Sequence, residues 1–416
     1  MNEAVLTQEL YRNLLRSQSF PRQRIIDHQR RLLERLLRQA REHVPFYRDS
    51  GQLDPVFRSD GSIDWSRWDD IPILTRREAK DNEATLDAGW VAPEMLPCTD
   101  DMTSGSTGVP FRFRRTKLSR IVSSALLGRA IGWHDKGVIG IVAAVRSVPA
   151  DLGAQATSGS VTIPLHLPAR EQLALLEKAA PTHLVTYPNQ LLAWLDFDTR
   201  KAFRNLCVAV LTGEVIHSET RARFARQLAV KLIEAYATSE AGALAFEDKA
   251  GLLRICEENV LFECLAETAD RPGRVVLTPL YNHATPLIRY APGDFASMDR
   301  ASADDGLRGI TRVVGRERNL FRAPDGELFY PSVSAKLFVR ILDHREWQLV
   351  QTTREDAVFK VVCPTPPTPA QLASLKATLE KLLRGLKLAV AVVSRIDGPE
   401  APGKSTESII RDPAID

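Results

Sequence analysis

The pattern of apolar and polar residues changes character along the chain. Residues 1–50 carry leucines at helical spacing between basic residues, which predicts amphipathic helices that pack on their own domain and end at residues 43–47. Residues 51–72 form a connection without a clear period. From 116 to 240, helical segments alternate with apolar runs that are typical of buried strands. The predicted helices cover 116–130, 169–180, 189–205 and 217–229, and the predicted strands cover 138–145, 183–187, 206–211 and 231–236.

Strands that alternate with helices predict a largely parallel sheet covered on both faces. After residue 255, the strands predicted at 258–265 and 273–280 follow each other closely, which indicates antiparallel pairing. The pattern breaks near 315–327, and beyond the break we expect a compact α+β domain of its own. Its predicted elements are a helix over 331–343, strands over 347–353 and 357–363, a helix capped by Thr368, and a strand over 388–394.

The composition narrows the class of protein without identifying it. Of the 416 residues, 44% are hydrophobic and 26% are charged, which is typical of a globular protein. With 55 basic and 52 acidic residues the net charge is +3, which excludes a generally basic protein that coats nucleic acid. No apolar run approaches the roughly 20 residues of a membrane-spanning helix, and the N-terminus lacks the apolar stretch of a signal peptide. We therefore expect a cytoplasmic protein with neither nucleic acid nor a membrane as its partner.

The five cysteines are scattered and odd in number, so we interpret them as reduced thiols. Cys256 and Cys264 are close in sequence, and only His283 follows nearby. A structural zinc ion needs four ligands at close spacing. Buried free thiols are therefore the favoured interpretation of this pair.

The most informative stretch is residues 103–110, in which hydroxyl residues and glycines alternate before Pro110. Glycines let backbone N–H groups approach an anion closely, and Ser and Thr hydroxyls add further donors. The stretch is not a Walker A loop, because no Gly-Lys-Ser/Thr follows at the required spacing. It is typical of a phosphate-binding loop, and a Ser/Gly surface loop is the alternative.

Two further stretches carry carboxylates at positions suited to a nucleotide. Residues 236–242 follow a predicted strand, where Glu240 can bind a Mg²⁺ ion that bridges phosphates and the Tyr236 ring can lie against a base. The alternative is a capping box that opens a helix. Asp294 follows Gly293 directly, so its carboxylate can accept both hydroxyls of a ribose, and the alternative is a plain turn.

Taken in this order, with Gly315, Arg316, Gly403 and Lys404, these stretches resemble the motifs of the adenylate-forming superfamily of acyl-CoA synthetases, adenylation domains and luciferases. The chain looks most like the short phenylacetate–CoA ligase branch. The resemblance spans nearly the whole chain, starting from residues 43–48 and 71–76. Residues 103–110 match the signature phosphate loop, and residues 211–214 are similar to the segment beside the adenine.

The resemblance implies a role for individual residues. Glu240 takes the place of the Mg²⁺-binding glutamate, Asp294 that of the ribose ligand, and Lys404 that of the catalytic lysine of the C-terminal domain. Arg318 stands at the hinge, where an Asp or Lys is usual. Thr103 joins Lys404 and Glu240 as a catalytic candidate. The residues implied in ATP or AMP binding are Ser104, Gly105, Ser106, Thr107, Gly108, Gly213, Glu214, Tyr236, Ser239, Asp294 and Arg316.

The resemblance also implies a fold and a reaction. We expect an α/β protein with a large N-terminal domain over 1–314 whose sheets are mostly parallel, a hinge over 315–320, and a small mobile α+β C-terminal domain over 321–416. The reaction would be ATP-dependent activation of an aryl or arylacetic acid as an acyl-adenylate, followed by transfer to coenzyme A with Mg²⁺ as the metal. Transfer to a carrier-protein thiol or an amine, and a non-catalytic nucleotide-binding homologue, remain alternatives. Dimers are unsurprising in this branch.

Overall fold

The computed structural model describes the chain with several gaps. The described residues are 3–103, 111–146, 148, 155–157, 159–214, 216, 218–266, 272–299, 306–316, 319–331, 333, 338, 341–396 and 408–411. Residues 104–108 of the predicted phosphate loop, Arg318 and Lys404 lie outside these ranges, and so does most of the helix predicted over 331–343.

The described helices agree closely with the sequence pattern. They are α1 (Glu3–Ser17), α2 (Arg22–His43), α3 (Pro45–Ser50), α4 (Arg76–Asp81), α5 (Lys117–Trp133), α6 (Ala169–Ala179), α7 (Pro188–Trp194), α8 (Ser218–Gln227) and α9 (Pro369–Glu380). Short 3₁₀ turns occupy Asp54–Val56, Trp65–Asp70 and Pro93–Met95 within the connections.

The described strands follow in chain order. They are β1 (Leu74–Thr75), β2 (Cys98–Met102), β3 (Arg112–Thr116), β4 (Val142–Arg146), β5 (Gln155–Thr157), β6 (Ser160–Pro164), β7 (His183–Thr186), β8 (Val208–Thr212), β9 (Lys231–Thr238), β10 (Gly242–Glu247), β11 (Leu253–Ile255), β12 (Val260–Leu265), β13 (Gly273–Pro279), β14 (Tyr290–Ala291), β15 (Asp294–Met298), β16 (Gly309–Arg316), β17 (Phe321–Arg322), β18 (Leu328–Phe329), β19 (Glu346–Gln351), β20 (Asp356–Val362), β21 (Lys387–Val392) and β22 (Ser408–Arg411).

One predicted helix is shorter in the structure than in the sequence pattern. The helix expected over 189–205 is wrong beyond Trp194, where α7 ends and turns follow. The carboxylate of Asp198 accepts the backbone N–H of Arg200 at 3.1 Å and pairs with its guanidinium at 2.7 Å. Such local side-chain bonds compete with the helical hydrogen-bond ladder, which explains why an apolar period did not suffice here.

The chain forms two compact units. The first covers Met1–Pro292 and Ala296–Val313, and the second covers Gly293–Phe295 and Val314–Asp416. The large sheet has the strand order β1-β14-β13-β15-β16-β11-β10-β9-β8-β7-β4-β6-β5, with β12 paired to β13. Strands β6, β4, β7, β8 and β9 are parallel neighbours, whereas β9–β10, β10–β11 and β12–β13 are antiparallel. The predicted α/β class and the predicted antiparallel pairing after residue 255 are both confirmed.

Strand β8 explains why its segment reads as a continuous apolar run. Ala209 and Leu211 pack into the core formed with α6, α7 and α8. Val208 and Val210 point to the opposite face and pack into the core formed with α1 and α5. A parallel strand covered by helices on both faces cannot carry a polar side.

A pair of buried glutamates fastens helices α2 and α5 to the sheet of the first unit. Arg129 of α5 is fully buried, and its Nη1 donates to Glu258 Oε1 at 2.6 Å. Glu257 accepts from Arg22 of α2 and from Arg308 Nε at 2.8 Å. Both carboxylates are buried, so each depends on its arginine partners more than a carboxylate in a surface pair does.

The described part of the second unit contains β19, β20, α9 and β21, which correspond to elements that the sequence predicts, and also the short strands β17, β18 and β22, which it does not. Its four-stranded sheet has the order β21-β20-β19-β22, and β22, which the sequence pattern does not predict, joins β19 in parallel. The predicted cap of α9 is confirmed. The Thr368 hydroxyl accepts the N–H of Gln371 at 3.3 Å, and Gln371 Oε1 accepts the N–H of Thr368 at 2.9 Å.

Within the described part of the chain, no helix combines the length and the apolar character that crossing a bilayer requires.

Candidate active site

The residues predicted to bind the nucleotide follow the central parallel strands. Strands β4, β7, β8 and β9 are consecutive neighbours in the sheet. Their carboxyl ends therefore share one edge, which is where ligands bind in open α/β sheets. Tyr187 follows β7, Gly213 and Glu214 follow β8, and Ser239 and Glu240 follow β9.

Glu240 occupies the turn of the β9–β10 hairpin. The Thr238 hydroxyl accepts the N–H of Ala241 at 3.1 Å, and Gly242 supplies the positive φ of 73° with which β10 begins. The turn leaves Ser239 exposed, whereas Glu240 is only 3% exposed. The alternative of a capping box that opens a helix is therefore wrong, because a strand follows the turn.

The buried carboxylate of Glu240 has two partners that the sequence did not reveal. Its Oε1 accepts from Arg76 Nη1 at 2.8 Å and from the Tyr290 hydroxyl at 2.9 Å. Burial and the adjacent Glu240 charge raise the pKa of Tyr290 above its usual range, so the phenol stays protonated and remains a donor. Arg76 supplies the positive charge that a buried carboxylate requires.

Arg76 reaches Glu240 because of a parallel pairing between distant parts of the chain. Strand β1 pairs with β14 so that Leu74 lies opposite Tyr290. Thr75 then caps α4 through a capping box with Glu78, and Arg76 is the first residue of that helix. The cap fixes the direction in which the chain leaves the sheet, and so fixes where the guanidinium can reach.

Arg289, the residue before β14, stabilises the pairing of β1 with β14. Its backbone φ is 48°, a left-handed value that is unfavourable for a residue with a side chain. The buried guanidinium pairs with Glu263 at 3.1 Å and donates to the carbonyls of Asp69 and Ile71, each at 2.9 Å. These contacts tie the segment that precedes β1 to the residue that precedes β14.

The donor set around Glu240 fits a magnesium ion that arrives with a nucleotide. Among the described residues, no group of three or more His, Cys, Asp or Glu side chains is placed to hold a metal ion. Mg²⁺ is usually held by one or two carboxylates together with substrate phosphates and water. The single buried carboxylate of Glu240 meets that requirement, and Arg76 is then a second cation beside the same oxygen.

Gly213 and Glu214 lie where the sequence placed them, but their contacts define two further roles. A Cβ at Gly213 would lie 2.8 Å from the ring of Tyr187, so only glycine lets the two segments approach this closely. Glu214 Oε2 accepts the backbone N–H of Asn189 in the first turn of α7 at 3.1 Å. The carboxylate therefore satisfies a free N–H at the positive end of that helix.

Thr103 closes the base of the loop that the sequence singles out. The two ends of the loop are joined by a pair of 2.9 Å bonds, in which Thr103 N donates to Phe111 O and Phe111 N donates to the Thr103 hydroxyl. Thr103 is 3% exposed. Its hydroxyl holds the ends of the loop together, and its predicted catalytic role stays a prediction.

The remaining predicted residues are distributed over both units. Tyr236 is buried, and its ring meets that of Phe262 edge-on at a centroid distance of 6.4 Å. Asp294 opens β15 directly after Gly293, whose φ is 87°. Arg316 is the last residue of β16.

Cys256 and Cys264, the two cysteines close in sequence, pack as free thiols. Cys256 is fully buried, and burial raises the pKa of its thiol to about 12. Cys264 is half-buried, and its Sγ donates to the carbonyl of Ala296 at 3.3 Å. Burial also raises the pKa of the Cys264 thiol.

The site contains residues that sequence reasoning missed, chiefly Arg76, Tyr187 and Tyr290. Arg76 and Tyr290 stand within stretches that resemble family motifs, but a single sequence gives no sign that they meet at Glu240. Only the pairing of β1 with β14 reveals it. Tyr187 belongs to no motif, and its one signal is its place as the last residue of the strand predicted over 183–187.

Comparison with family models and with curated proteins finds no match to this chain. Solved structures share its fold. 2-Hydroxyisobutyryl-CoA ligase in the postadenylation state with 2-HIB-AMP superposes with a TM-score of 0.69 at 16% identity, covering 96% of this chain and 92% of that one.

Two further solved structures are similar over a smaller part of the chain. O-succinylbenzoate coenzyme A synthetase from Bacillus subtilis with AMP gives a TM-score of 0.54 at 14% identity, over 77% of this chain and 72% of that one. ATP-bound MatB from Rhodopseudomonas palustris gives 0.50 at 14% identity, over 75% and 66%. The chain therefore has the fold of adenylate-forming acyl-CoA ligases.

Proposed function

We propose that this chain activates a carboxylic acid with ATP as an acyl-adenylate and then transfers the acyl group to coenzyme A. The observation that carries the proposal is the buried Glu240, which Arg76 and Tyr290 hold at the carboxyl ends of the parallel strands. Ligands bind at that edge in open α/β sheets, so the carboxylate lies where a metal ion that bridges phosphates could be held. The proposal extends to an aryl or arylacetic acid as the substrate class.

Each residue of the site has a part in this reaction. A carboxylate that attacks the α-phosphate of ATP brings two anions together, so positive groups must stand beside them. Bound at Glu240, Mg²⁺ would neutralise part of the phosphate charge. Arg76 holds the carboxylate of Glu240 in place, the Tyr290 hydroxyl fixes its orientation, and the Tyr187 ring packs on Gly213 at the proposed adenine side.

A panel of carboxylic acids tests the proposal most directly. The wild-type chain is expected to catalyse acid-dependent exchange of pyrophosphate into ATP with at least one aryl or arylacetic acid. It is then expected to form a thioester with free coenzyme A. Exchange without a thioester would indicate a carrier protein or an amine as the acceptor. Nucleotide binding without exchange for any acid would favour the non-catalytic homologue and overturn the proposal.

Asp294→Ala is expected to weaken ATP binding about tenfold or more. The proposed role of Asp294 is to accept two ribose hydroxyls, and each such bond to a charged acceptor is worth about 1.5–3 kcal/mol. Calorimetric titration with a non-hydrolysable ATP analogue measures the effect, with Asp294→Asn as the matched variant that keeps one acceptor oxygen. An unchanged affinity in both variants would mean that Asp294 only shapes a turn.

The proposed division into domains over 1–314 and 321–416, with a hinge over 315–320, leads to a separate prediction. Lys404→Ala is expected to lower adenylate formation about tenfold to a hundredfold, because the lysine would donate a charged hydrogen bond only in that half-reaction. Thioester formation from supplied acyl-adenylate should survive. Arg318→Pro should do the reverse, since it fixes φ at the hinge.

Both half-reactions are measured in both variants, with Lys376→Ala on the exposed face of α9 as the control lysine. Equal losses in the two half-reactions for each variant would contradict the hinge or the role of Lys404.

A further inference from the structure

The guanidinium of Arg76 has more hydrogen-bonding capacity than its surroundings use. An arginine side chain offers several N–H donors in a planar fork. Among the described residues, only Glu240 accepts a hydrogen bond from Arg76, at 2.8 Å from Nη1, although the Tyr290 phenol also lies close. The buried Arg289 differs, because it donates to several backbone carbonyls and also pairs with Glu263. An arginine that serves only the fold is expected to use its fork as Arg289 does.

The side chain of Arg76 is less enclosed than its partner. The capping box of Thr75 fixes the backbone at the start of α4, but the Arg76 side chain itself is 23% exposed. The Glu240 side chain is 2% exposed and lies in a turn that the hydrogen bond from Ala241 to Thr238 closes. A rearrangement at this ion pair is therefore expected to move the guanidinium and to leave the carboxylate in place.

A metal ion at Glu240 would compete with Arg76 for the same carboxylate. Glu240 Oε1 already accepts from Arg76 at 2.8 Å and from the Tyr290 hydroxyl at 2.9 Å. Two cations on one carboxylate repel each other, and the repulsion is strong where the carboxylate is buried. The phenol is uncharged and can stay. The guanidinium is therefore the group that a metal ion would displace.

The phosphate oxygens of a nucleotide are suitable acceptors for a displaced guanidinium. In nucleotide sites Mg²⁺ is held by one or two carboxylates together with substrate phosphates. Phosphates that accompany a metal ion at Glu240 would therefore lie beside the residue that begins α4. The planar fork of arginine bonds phosphate oxygens in pairs. An exchange of partners would leave neither the carboxylate nor the guanidinium without a counter-charge.

We propose that Arg76 changes partners when the nucleotide binds: it leaves Glu240 to Mg²⁺ and donates instead to the phosphate oxygens of ATP. Arg76 is then a further ATP-binding residue. Through its pairing with Glu240 it also opposes metal ions that arrive without a nucleotide. The proposal rests on the nucleotide and metal site of the proposed function, and it does not depend on the identity of the acid.

Binding of Mn²⁺ without any nucleotide tests the competition at Glu240. Mn²⁺ favours the same oxygen ligands as Mg²⁺ and is followed by electron paramagnetic resonance. Arg76→Gln removes the charge and keeps a donor, so it is expected to bind Mn²⁺ about tenfold more tightly than the wild type at about pH 8, where carboxylates are ionised. Arg76→Lys keeps the charge and should bind as weakly as the wild type. Adding Glu240→Gln to Arg76→Gln should abolish the gain.

A comparison of two adenine ligands tests the contact with phosphates. In the presence of Mg²⁺, Arg76→Gln is expected to bind a non-hydrolysable ATP analogue about tenfold to a hundredfold more weakly, because a charged hydrogen bond is lost. Its affinity for adenosine, which has no phosphate, should stay unchanged. Calorimetric titration measures both ligands. Arg77→Ala is the matched control and should change neither affinity, since this next arginine of α4 is 92% exposed and pairs with Asp81 at 3.8 Å.

Each result has a distinct meaning. Equal affinities for Mn²⁺ in the wild type and in Arg76→Gln would overturn the competition, and with it the exchange of partners. Equal losses for the ATP analogue and for adenosine would mean that Arg76 acts through the fold alone, and would overturn the inference as well. The expected binding results without pyrophosphate exchange for any acid would support the inference and overturn the catalytic part of the proposed function.

Discussion

Replacing Glu240 by glutamine is expected to lower acid-dependent pyrophosphate exchange about a thousandfold. A metal ion that neutralises developing phosphate charge contributes several kcal/mol to the transition state, and a neutral amide holds Mg²⁺ far less strongly than a carboxylate does. The amide oxygen can still accept from Arg76 and Tyr290, which now share Oε1 of the glutamate. The fold should therefore persist. Exchange kinetics and thermal melting of the variant measure the two effects.

The matched control is Arg76→Ala, which breaks the same ion pair from the other side. This variant keeps the carboxylate and removes the cation that competes with a metal ion for it. Titration with Mn²⁺ in the presence of an ATP analogue, followed by electron paramagnetic resonance, should show metal binding that is retained in Arg76→Ala and lost in Glu240→Gln. If both variants bind Mn²⁺ and lose exchange equally, Glu240 serves only to anchor Arg76.

The sequence predicted features that depend on residues close together in the chain, and it missed contacts between residues that are far apart. Strands β7, β8 and β9 were predicted from short apolar runs, because each is buried on both faces and carries its signal locally. The position of Glu240 after such a strand was predicted for the same reason. Its partner Arg76 is 164 residues away, and Tyr290 is 50 residues away. No local pattern reports a pairing across such distances.

The helix boundary and the strand that the sequence did not predict also have physical causes. The helix over 189–205 ends at Trp194 because Asp198 bonds to Arg200 in place of the helical ladder. No apolar pattern in the sequence predicts strand β22, because an edge strand of four residues pairs with only one neighbour, here β19. The apolar periodicity of the sequence predicts neither the end of α7 nor strand β22. The first depends on a side-chain hydrogen bond, and the second on pairing with a strand that is distant in sequence.

The second large effect concerns the stability of the first unit and depends on Arg129. The guanidinium is fully buried, and its Nη1 donates to Glu258 Oε1 at 2.6 Å and to the carbonyl of Leu14 at 3.4 Å. Ser17 of α1 donates to the same Glu258 oxygen at 2.6 Å. One ion pair therefore connects α1, α5 and the segment that leads into β12, and both of its charged side chains are buried.

Arg129→Ala is expected to destabilise the protein by about 3–5 kcal/mol, because it leaves the Glu258 carboxylate buried without a counter-charge. The exposed pair of Arg38 and Glu34, at 2.7 Å on α2, is the matched control, and Arg38→Ala should cost less than about 0.5 kcal/mol. Urea unfolding followed by circular dichroism measures both changes.

A double variant separates the charge from the packing at this site. Arg129→Met combined with Glu258→Leu removes both charges and restores apolar volume. It should recover most of the stability that Arg129→Ala loses, since replacing a whole buried ion pair by hydrophobic side chains is often neutral or stabilising. A double variant as unstable as Arg129→Ala would show that the hydrogen bonds to Leu14 and Ser17, rather than the unpaired charge, account for the loss. The pair would then stabilise the fold by tying α1 to the sheet.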